Sequence, residues 1–495
     1  MRDWLAAAAE KSLDAPAVIS WLGRSSHSTQ GDYSYVQGAA ALEAQRLSMA
    51  GVKRGDCVAL LLSPVMWLPS LVHAIARLGA TLLPLNLRLS QEELRYQVES
   101  AACKLVICDR YSASNAIGLC TPARAIYSFD SSIEGVPRLP SDDDEPLWDY
   151  LDGEIDLDAV QSIVFTSGTT GKPKGAQITF GNLYHSALAS AERLGSSPDD
   201  RWLCPLPFYH VGGLSIIFRS ALYGSSIVLP EATSTEGLIN ALHDSQATLV
   251  SLVPTQLYRM LEAGFEPPKS LRLILLGGAA ANPELVARCL ERNLPLALTY
   301  GLTETASQVA TATPDQVRAK PGTVGKPLSG TTIRIVDEQG NDLPAGEYGE
   351  IVVSGDTVMK GYLGQPPTNG EFHTGDVGYL DTDGDLWIVQ RRSDLIVSGG
   401  ENVYPSEVEA ILRQHPAVEE ACVVGLPDPE WGQRVAAMVK LRSGASLTEA
   451  ELVAFSRERL AGYKQPRRIV FVAELPTTAS GKIQRGKVRE QMQSL

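Results

Sequence analysis

Short apolar runs recur through the first half of the chain at Val58–Leu62, Leu105–Ile107, Ile163–Phe165, Leu249–Val253 and Leu273–Leu276, with helical patterns between them. An unbroken apolar run is buried on both faces, which requires a largely parallel sheet covered by helices. The expected fold class is therefore α/β. At 495 residues the chain exceeds one ordinary core, so more than one domain is expected. From about Gly322 to Val389 the texture changes to short alternating segments such as Thr332–Val336 and Glu350–Val353, separated by Asp/Gly turns. That pattern predicts an antiparallel, β-rich subdomain. The last stretch reads as a separate α+β domain. Val408, Ile411 and Leu412 mark a helix, and Ala421–Val424 and Val435–Leu441 mark strands. Thr448 with Glu451 forms a helix-capping pair, and further strands are expected at Ile469–Val472 and in the tail.

Composition narrows the function classes. A net charge of −14 without a compensating basic stretch argues against a nucleic-acid or anionic-membrane partner. The seven cysteines are scattered and lack a Cys-x-x-Cys pair, which suits a reducing cytoplasm and excludes a disulfide frame or zinc site. The start, Met1-Arg2-Asp3-Trp4, does not read as a secretion signal. Val58 to Ala76 carries no formal charge and is long enough to span a bilayer, but Pro64 and Pro69 interrupt it. A buried strand, a turn and a helix is the better reading, with no stable membrane insertion.

Behind Ile163–Phe165 stands Thr166-Ser167-Gly168-Thr169-Thr170-Gly171-Lys172-Pro173-Lys174-Gly175. Glycines let backbone N–H groups approach phosphate oxygens, hydroxyls add donors, and lysines neutralise charge. The spacing of Gly168 and Gly171, and Pro173 after the lysine, do not fit the Walker loop. Four more motifs follow in order: Pro205–Gly213 around His210, Tyr300-Gly301-Leu302-Thr303-Glu304-Thr305, Thr374-Gly375-Asp376, and Pro476–Ile483 containing Lys482. Taken singly, His210 reads as a core histidine, Glu304 as a capping acid, Asp376 as a turn residue and Lys482 as a surface lysine.

In this order the five motifs resemble the adenylate-forming superfamily, which includes acyl-CoA synthetases, peptide-synthetase adenylation domains and firefly luciferase. The resemblance implies a large N-terminal domain over residues 1–391, with layered α/β sheets and a β-rich subdomain at about 322–391. A small, mobile α+β C-terminal domain over 393–495 follows. It implies ATP, Mg²⁺ and coenzyme A as cofactor and co-substrates, and a two-step reaction through an acyl adenylate. Thr166, Ser167, Gly168, Thr169, Thr170, Gly171, Lys172 and Lys174 would wrap the phosphates, and Glu304 would hold Mg²⁺. Gly278, Ala279, Ala280 and Tyr300 would flank the adenine, Gly301 would join the ATP site, Thr303 would meet the α-phosphate, and Asp376 and Arg391 would take the ribose hydroxyls. Lys482 would stabilise the charge developing at the α-phosphate. Ser393 falls at the hinge, where the superfamily commonly has Asp or Lys, and Gln390 replaces the usual glycine. Gly399, Gly400 and Glu401 would line the coenzyme A tunnel.

Two features bear on the acid. Arg219 is one cation in an otherwise apolar stretch, Gly213–Ser220. It is either a snorkelling arginine or a partner for a second carboxylate on the substrate. Ser307 and Gln308 sit among small residues suited to an aromatic-sized pocket. These stretches most resemble the o-succinylbenzoate–CoA ligases of menaquinone and phylloquinone biosynthesis, in which Arg219 would take the ring carboxylate and His210 would wall the pocket. The alternatives are a ligase for another aryl or medium-chain acid, and a catalytically degenerate nucleotide-binding protein. Small-molecule partners are expected, and homo-oligomerisation is left open.

Overall fold

The apolar runs become strands as expected. The structure, a computed structural model, describes residues 1–21, 29–63, 66–130, 132–141, 150, 153–166, 173–230, 233–281, 283–390, 395–476 and 483–495. The chain divides into two units: the first spans 1–87, 100–164 and 176–390, the second 88–99, 165–175 and 391–495.

The first unit carries the long parallel ladders. One sheet orders its described strands as Gly361–Tyr362, Lys174–Thr179, Val160–Thr166, Thr81–Pro84, Cys57–Leu61, Leu105–Cys108 and Ala125–Ser128. Its core pairs are parallel, with Val58 opposite Leu82 on one side and Leu105 on the other. A second sheet runs Lys326–Pro327, Ser307–Ala312, Leu296–Leu302, Leu273–Leu276, Leu249–Leu252, Arg201–Leu203, Ser226–Pro230, Pro16–Trp21 and Thr29–Asp32. Its centre is parallel, and its edge pairs, such as Leu296–Leu302 with Ser307–Ala312, are antiparallel. The region expected to be β-rich forms a four-stranded antiparallel sheet, Thr331–Val336, Gly349–Gly355, Glu371–Leu380 and Leu386–Gln390.

The uncharged Val58–Ala76 stretch resolves into the strand Cys57–Leu61 and the helix Leu68–Arg77, which starts with Pro69 in its first turn. No described helix is long and apolar enough to cross a membrane. Helix Leu68–Arg77 buries His73 edge-on to Phe218, and Arg77 pairs with Asp3 at 2.9 Å. Burial, helped by the Arg77 charge and opposed by Asp3, pushes the His73 imidazole down from 6.5 to about 4. Between those values the unfolded chain holds a proton that the folded chain rejects, so stability falls as pH drops through that window. His73→Leu removes this dependence. In denaturant titrations the variant should gain about 3 kcal/mol on the wild type between pH 7 and pH 4. A gap that stays constant with pH would refute it.

In the second unit, Val418–Asp428 and Gly432–Leu441 form a long antiparallel hairpin, with Arg468–Val472 parallel to the latter and Ile396–Ser398 and Glu401–Val403 at the other side. Thr448 and Glu451 cap the helix Glu449–Arg457 reciprocally, as expected. The tail differs from expectation: Arg485–Ser494 is a helix, not a strand. Val488 and Met492, four apart, share one face and are buried with Cys422, Val424 and Met438. Lys464 is buried and donates to Glu93 and Glu407 at 2.7 Å each, which ties the segment 88–99 into this unit.

Candidate active site

In the first unit the hairpin between Leu296–Leu302 and Ser307–Ala312 carries Thr303 and Glu304 on a single 3₁₀ turn. Closing it brings two backbones together: a Cβ on Gly301 would lie 1.7 Å from the Ser307 carbonyl oxygen, so only glycine fits there. Closure also places Ala306 and Ser307 at positive φ, +50° and +103°. Residues with a Cβ pay for such conformations, about 1–3 kcal/mol each, so the surroundings must hold them. Ser186 donates to the Ala306 carbonyl at 2.9 Å, and the Ala306 N–H reaches Thr303 O at 3.2 Å.

Glu304 is buried, and its Oε1 accepts from the Tyr362 hydroxyl at 2.5 Å. Tyr362 in turn pairs with Ala176, two residues beyond Lys174. Oε2 makes no hydrogen bond to a described residue, which leaves an oxygen suited to a hard cation such as Mg²⁺. Nearby in the same hairpin strand, the Tyr300 hydroxyl donates to Asp376 Oδ2 at 2.7 Å, and both residues are buried. The Asp376 N–H donates to Thr374 Oγ1 at 3.0 Å, which fixes the turn of the Thr374-Gly375-Asp376 motif. Gly278, at φ +77°, follows the strand Leu273–Leu276, and Gly278 and Ala280 are exposed with Ala279 between them partly so. A surface of small residues at the end of a parallel strand gives a flat base room to approach.

His210 stands at the start of the helix Val211–Tyr223, half-buried, with its ring 4.7 Å from that of Tyr209. On the same helix Arg219 is 2% exposed, so it does not snorkel to solvent. Its Nη2 donates to Ser186 Oγ at 3.1 Å, its guanidinium lies 5.9 Å from the Trp202 ring, and its Nε is buried without a partner among the described residues. Burial holds its pKa below the usual guanidinium range. Gln308 is also buried: its Nε2 reaches Thr311 Oγ1 at 2.9 Å, while Oε1 has no partner among the described residues. Ser307 is partly exposed.

In the second unit the Tyr96 hydroxyl donates to Pro173 O at 3.1 Å, and its ring meets Phe165 at 6.2 Å. One helix thus meets both flanks of the Gly/Ser/Thr-rich segment, of which Thr166 and Lys174 are partly exposed. Gly399 and Gly400 form a two-residue turn at φ +61° and +85° joining Ile396–Ser398 to Glu401–Val403. That hairpin turn alone demands positive φ at both positions. Glu401 is buried and pairs with Arg88 at 3.2 Å. Ser167, Gly168, Thr169, Thr170, Gly171, Lys172, Arg391, Ser393 and Lys482 lie outside the described residues.

Sequence reasoning missed Tyr362, Ser186 and Tyr96. Each acts through a hydrogen bond to a residue remote in the chain, and none stands in a motif.

Comparison with known proteins gives the family. The model of the AMP-binding enzyme family matches residues 5–363, and that of the AMP-binding enzyme C-terminal domain matches 407–482. A 2-succinylbenzoate–CoA ligase from Bacillus licheniformis is 41% identical, over 98% of this chain and 99% of that protein. The o-succinylbenzoate CoA synthetase of Bacillus subtilis, as a double mutant bound with its product analogue OSB-NCoA, superposes with a TM-score of 0.89 at 35% identity, covering 99% of this chain and 98% of that one. The same synthetase in complex with ATP and magnesium ion gives a TM-score of 0.71 at 35% identity, covering 98% and 99%. With both family models matched in order and relatives aligned from end to end, the chain belongs to the AMP-binding enzyme family and is an AMP-forming acid–thiol ligase.

Proposed function

We propose that the chain joins o-succinylbenzoate to coenzyme A at the expense of ATP, in menaquinone or phylloquinone biosynthesis, and that it works in the cytoplasm. The observation that carries the acid is Arg219: a guanidinium buried in an apolar helix whose described hydrogen bond is to a neutral hydroxyl. A buried charge is costly unless paired, and a second carboxylate on the substrate would pair it in a two-point fork. A monocarboxylic acid offers no such partner. The likeness to ligases named for 2-succinylbenzoate supports the same reading.

Adenylation needs the carboxylate oxygen aligned on an α-phosphate shielded by negative charge. Thr166 to Lys174 would surround the β- and γ-phosphates, Asp376 and Arg391 would take the ribose hydroxyls, and the Tyr300 hydroxyl fixes Asp376 for that contact. Glu304 would hold Mg²⁺, which supplies positive charge across the phosphate oxygens. Thr303 would meet the α-phosphate, and Lys482 would stabilise the charge developing there as pyrophosphate leaves. His210 would wall the acid beside the reacting carboxylate. In the second step the coenzyme A thiol attacks the acyl carbon and AMP leaves. Gly399, Gly400 and Glu401 would line the thiol's approach after the C-terminal domain, 393–495, turns about Ser393.

AMP release in the presence of ATP, Mg²⁺ and coenzyme A, measured over o-succinylbenzoate, benzoate, a coumarate, octanoate and several amino acids, tests the reading. The expected result is a preference for o-succinylbenzoate of at least about 100-fold in kcat/KM, the scale of a fully desolvated charge pair. Preference for a monocarboxylate would replace the substrate and keep the ligase chemistry. A complete lack of ATP–pyrophosphate exchange with every acid would favour a degenerate nucleotide-binding protein.

A further inference from the structure

One hydroxyl sits between the two parts of the site that must act together. Ser186, on the helix Phe180–Leu194, is 1% exposed. It accepts from Arg219 Nη2 at 3.1 Å and donates to the Ala306 carbonyl at 2.9 Å. A serine hydroxyl has one hydrogen to donate, and here that hydrogen goes to Ala306. The lone pairs are what remain for the guanidinium, so the polarity of the chain Arg219 to Ser186 to Ala306 is fixed. Ala306 and Ser307 are the consecutive positive-φ residues that close the hairpin carrying Thr303 and Glu304.

We infer that Ser186 is a positioning residue for the acid, holding Arg219 in line for a substrate carboxylate and pinning the hairpin backbone at Ala306. The inference rests on the reading of Arg219 as the carboxylate's partner. Without the hydroxyl, Arg219 loses its described hydrogen bond and gains freedom to turn within its pocket. The strained Ala306–Ser307 backbone also loses the side chain that restrains its carbonyl. The first effect concerns only acids with a second carboxylate. The second concerns every acid, because Thr303 and Glu304 serve the nucleotide whichever acid is bound.

The test uses steady-state AMP release by the full chain with two acids: o-succinylbenzoate, and benzoylpropionate, the same keto acid without the ring carboxylate. Ser186→Ala should raise KM for o-succinylbenzoate about 10-fold, the scale of a lost hydrogen bond to a charged group, and leave KM for benzoylpropionate unchanged. Its kcat should fall severalfold with both acids. Ser186→Thr, which keeps the hydroxyl, should restore the o-succinylbenzoate KM. In an Arg219→Ala background, Ser186→Ala should add nothing to KM. If Ser186→Ala melts early, Ser186→Cys keeps the volume with a much weaker hydrogen bond and should give the same KM split. An unchanged o-succinylbenzoate KM in Ser186→Ala, with Arg219→Ala still raising it, overturns the inference and spares the assignment of Arg219. Equal KM increases for both acids make Ser186 structural only and also overturn it. An Arg219→Ala enzyme with wild-type KM for o-succinylbenzoate overturns the Arg219 assignment and this inference together.

Discussion

Glu304→Gln should lower acid-dependent ATP–pyrophosphate exchange by about 100- to 1000-fold, the cost of removing one pre-placed electrostatic stabiliser from a water-poor site. The substitution keeps the volume and keeps an oxygen to accept from Tyr362, so the hairpin that closes at Gly301 has no reason to open. What it removes is the negative charge at Oε2, the oxygen with no described hydrogen-bond partner. If that oxygen meets Mg²⁺, the variant's exchange should saturate only at higher Mg²⁺, and raising Mg²⁺ should recover part of the loss. Tyr362→Phe should give a smaller defect of the same kind, about 10-fold, because a freed carboxylate keeps its charge but loses its fixed direction. A Glu304→Gln enzyme with wild-type exchange and unaltered Mg²⁺ dependence would remove Glu304 from the chemistry and leave it a buried acid that orders Tyr362.

Much of this arrangement is legible in the chain because its signals are local. Unalternating runs such as Leu249–Leu252 and Leu273–Leu276 have to be interior parallel strands, and they are paired so. The alternation after Gly322 yields the antiparallel sheet, and Thr448 with Glu451 yields a helix start. The tail helix is not legible in this way, because Val488 and Met492 share a face only at helical spacing and two positions are too few to establish a period against the polar residues between them. Gly399 and Gly400 answer to two reasons at once: a two-residue hairpin turn requires both, and the same turn is the proposed lining of the coenzyme A tunnel.

What stays illegible is contact across the fold. Tyr362 lies 58 residues from Glu304, and Ser186 lies 33 from Arg219. Nothing in the intervening sequence announces either meeting, since a tyrosine or serine in a helix or strand is ordinarily unremarkable. Arg219 is conspicuous for the opposite reason. A lone cation in Gly213–Ser220 breaks the pattern of its own helix, and a broken local rule often marks a functional position.

Arg219→Ala tests that break directly. With o-succinylbenzoate, kcat/KM should fall about 100-fold or more, as for truncating one member of a desolvated charge pair. With benzoylpropionate the change should be small and could be an improvement, because the free enzyme no longer carries a buried cation lacking a described carboxylate partner. Arg219→Lys should recover little, since an ammonium offers neither the planar fork nor the reach of Nη2 to Ser186. Stability should move the other way. Arg219→Met fills a similar volume without the desolvated charge or an Nε that lacks a described partner, so its melting temperature without substrate should equal or exceed that of the wild type. A position where the apolar variant is at least as stable but loses one acid selectively is held by that acid's chemistry. If Arg219→Met instead destabilises the protein and slows both acids alike, the contacts with Ser186 and Trp202 are the residue's whole purpose, and the dicarboxylate must be recognised elsewhere.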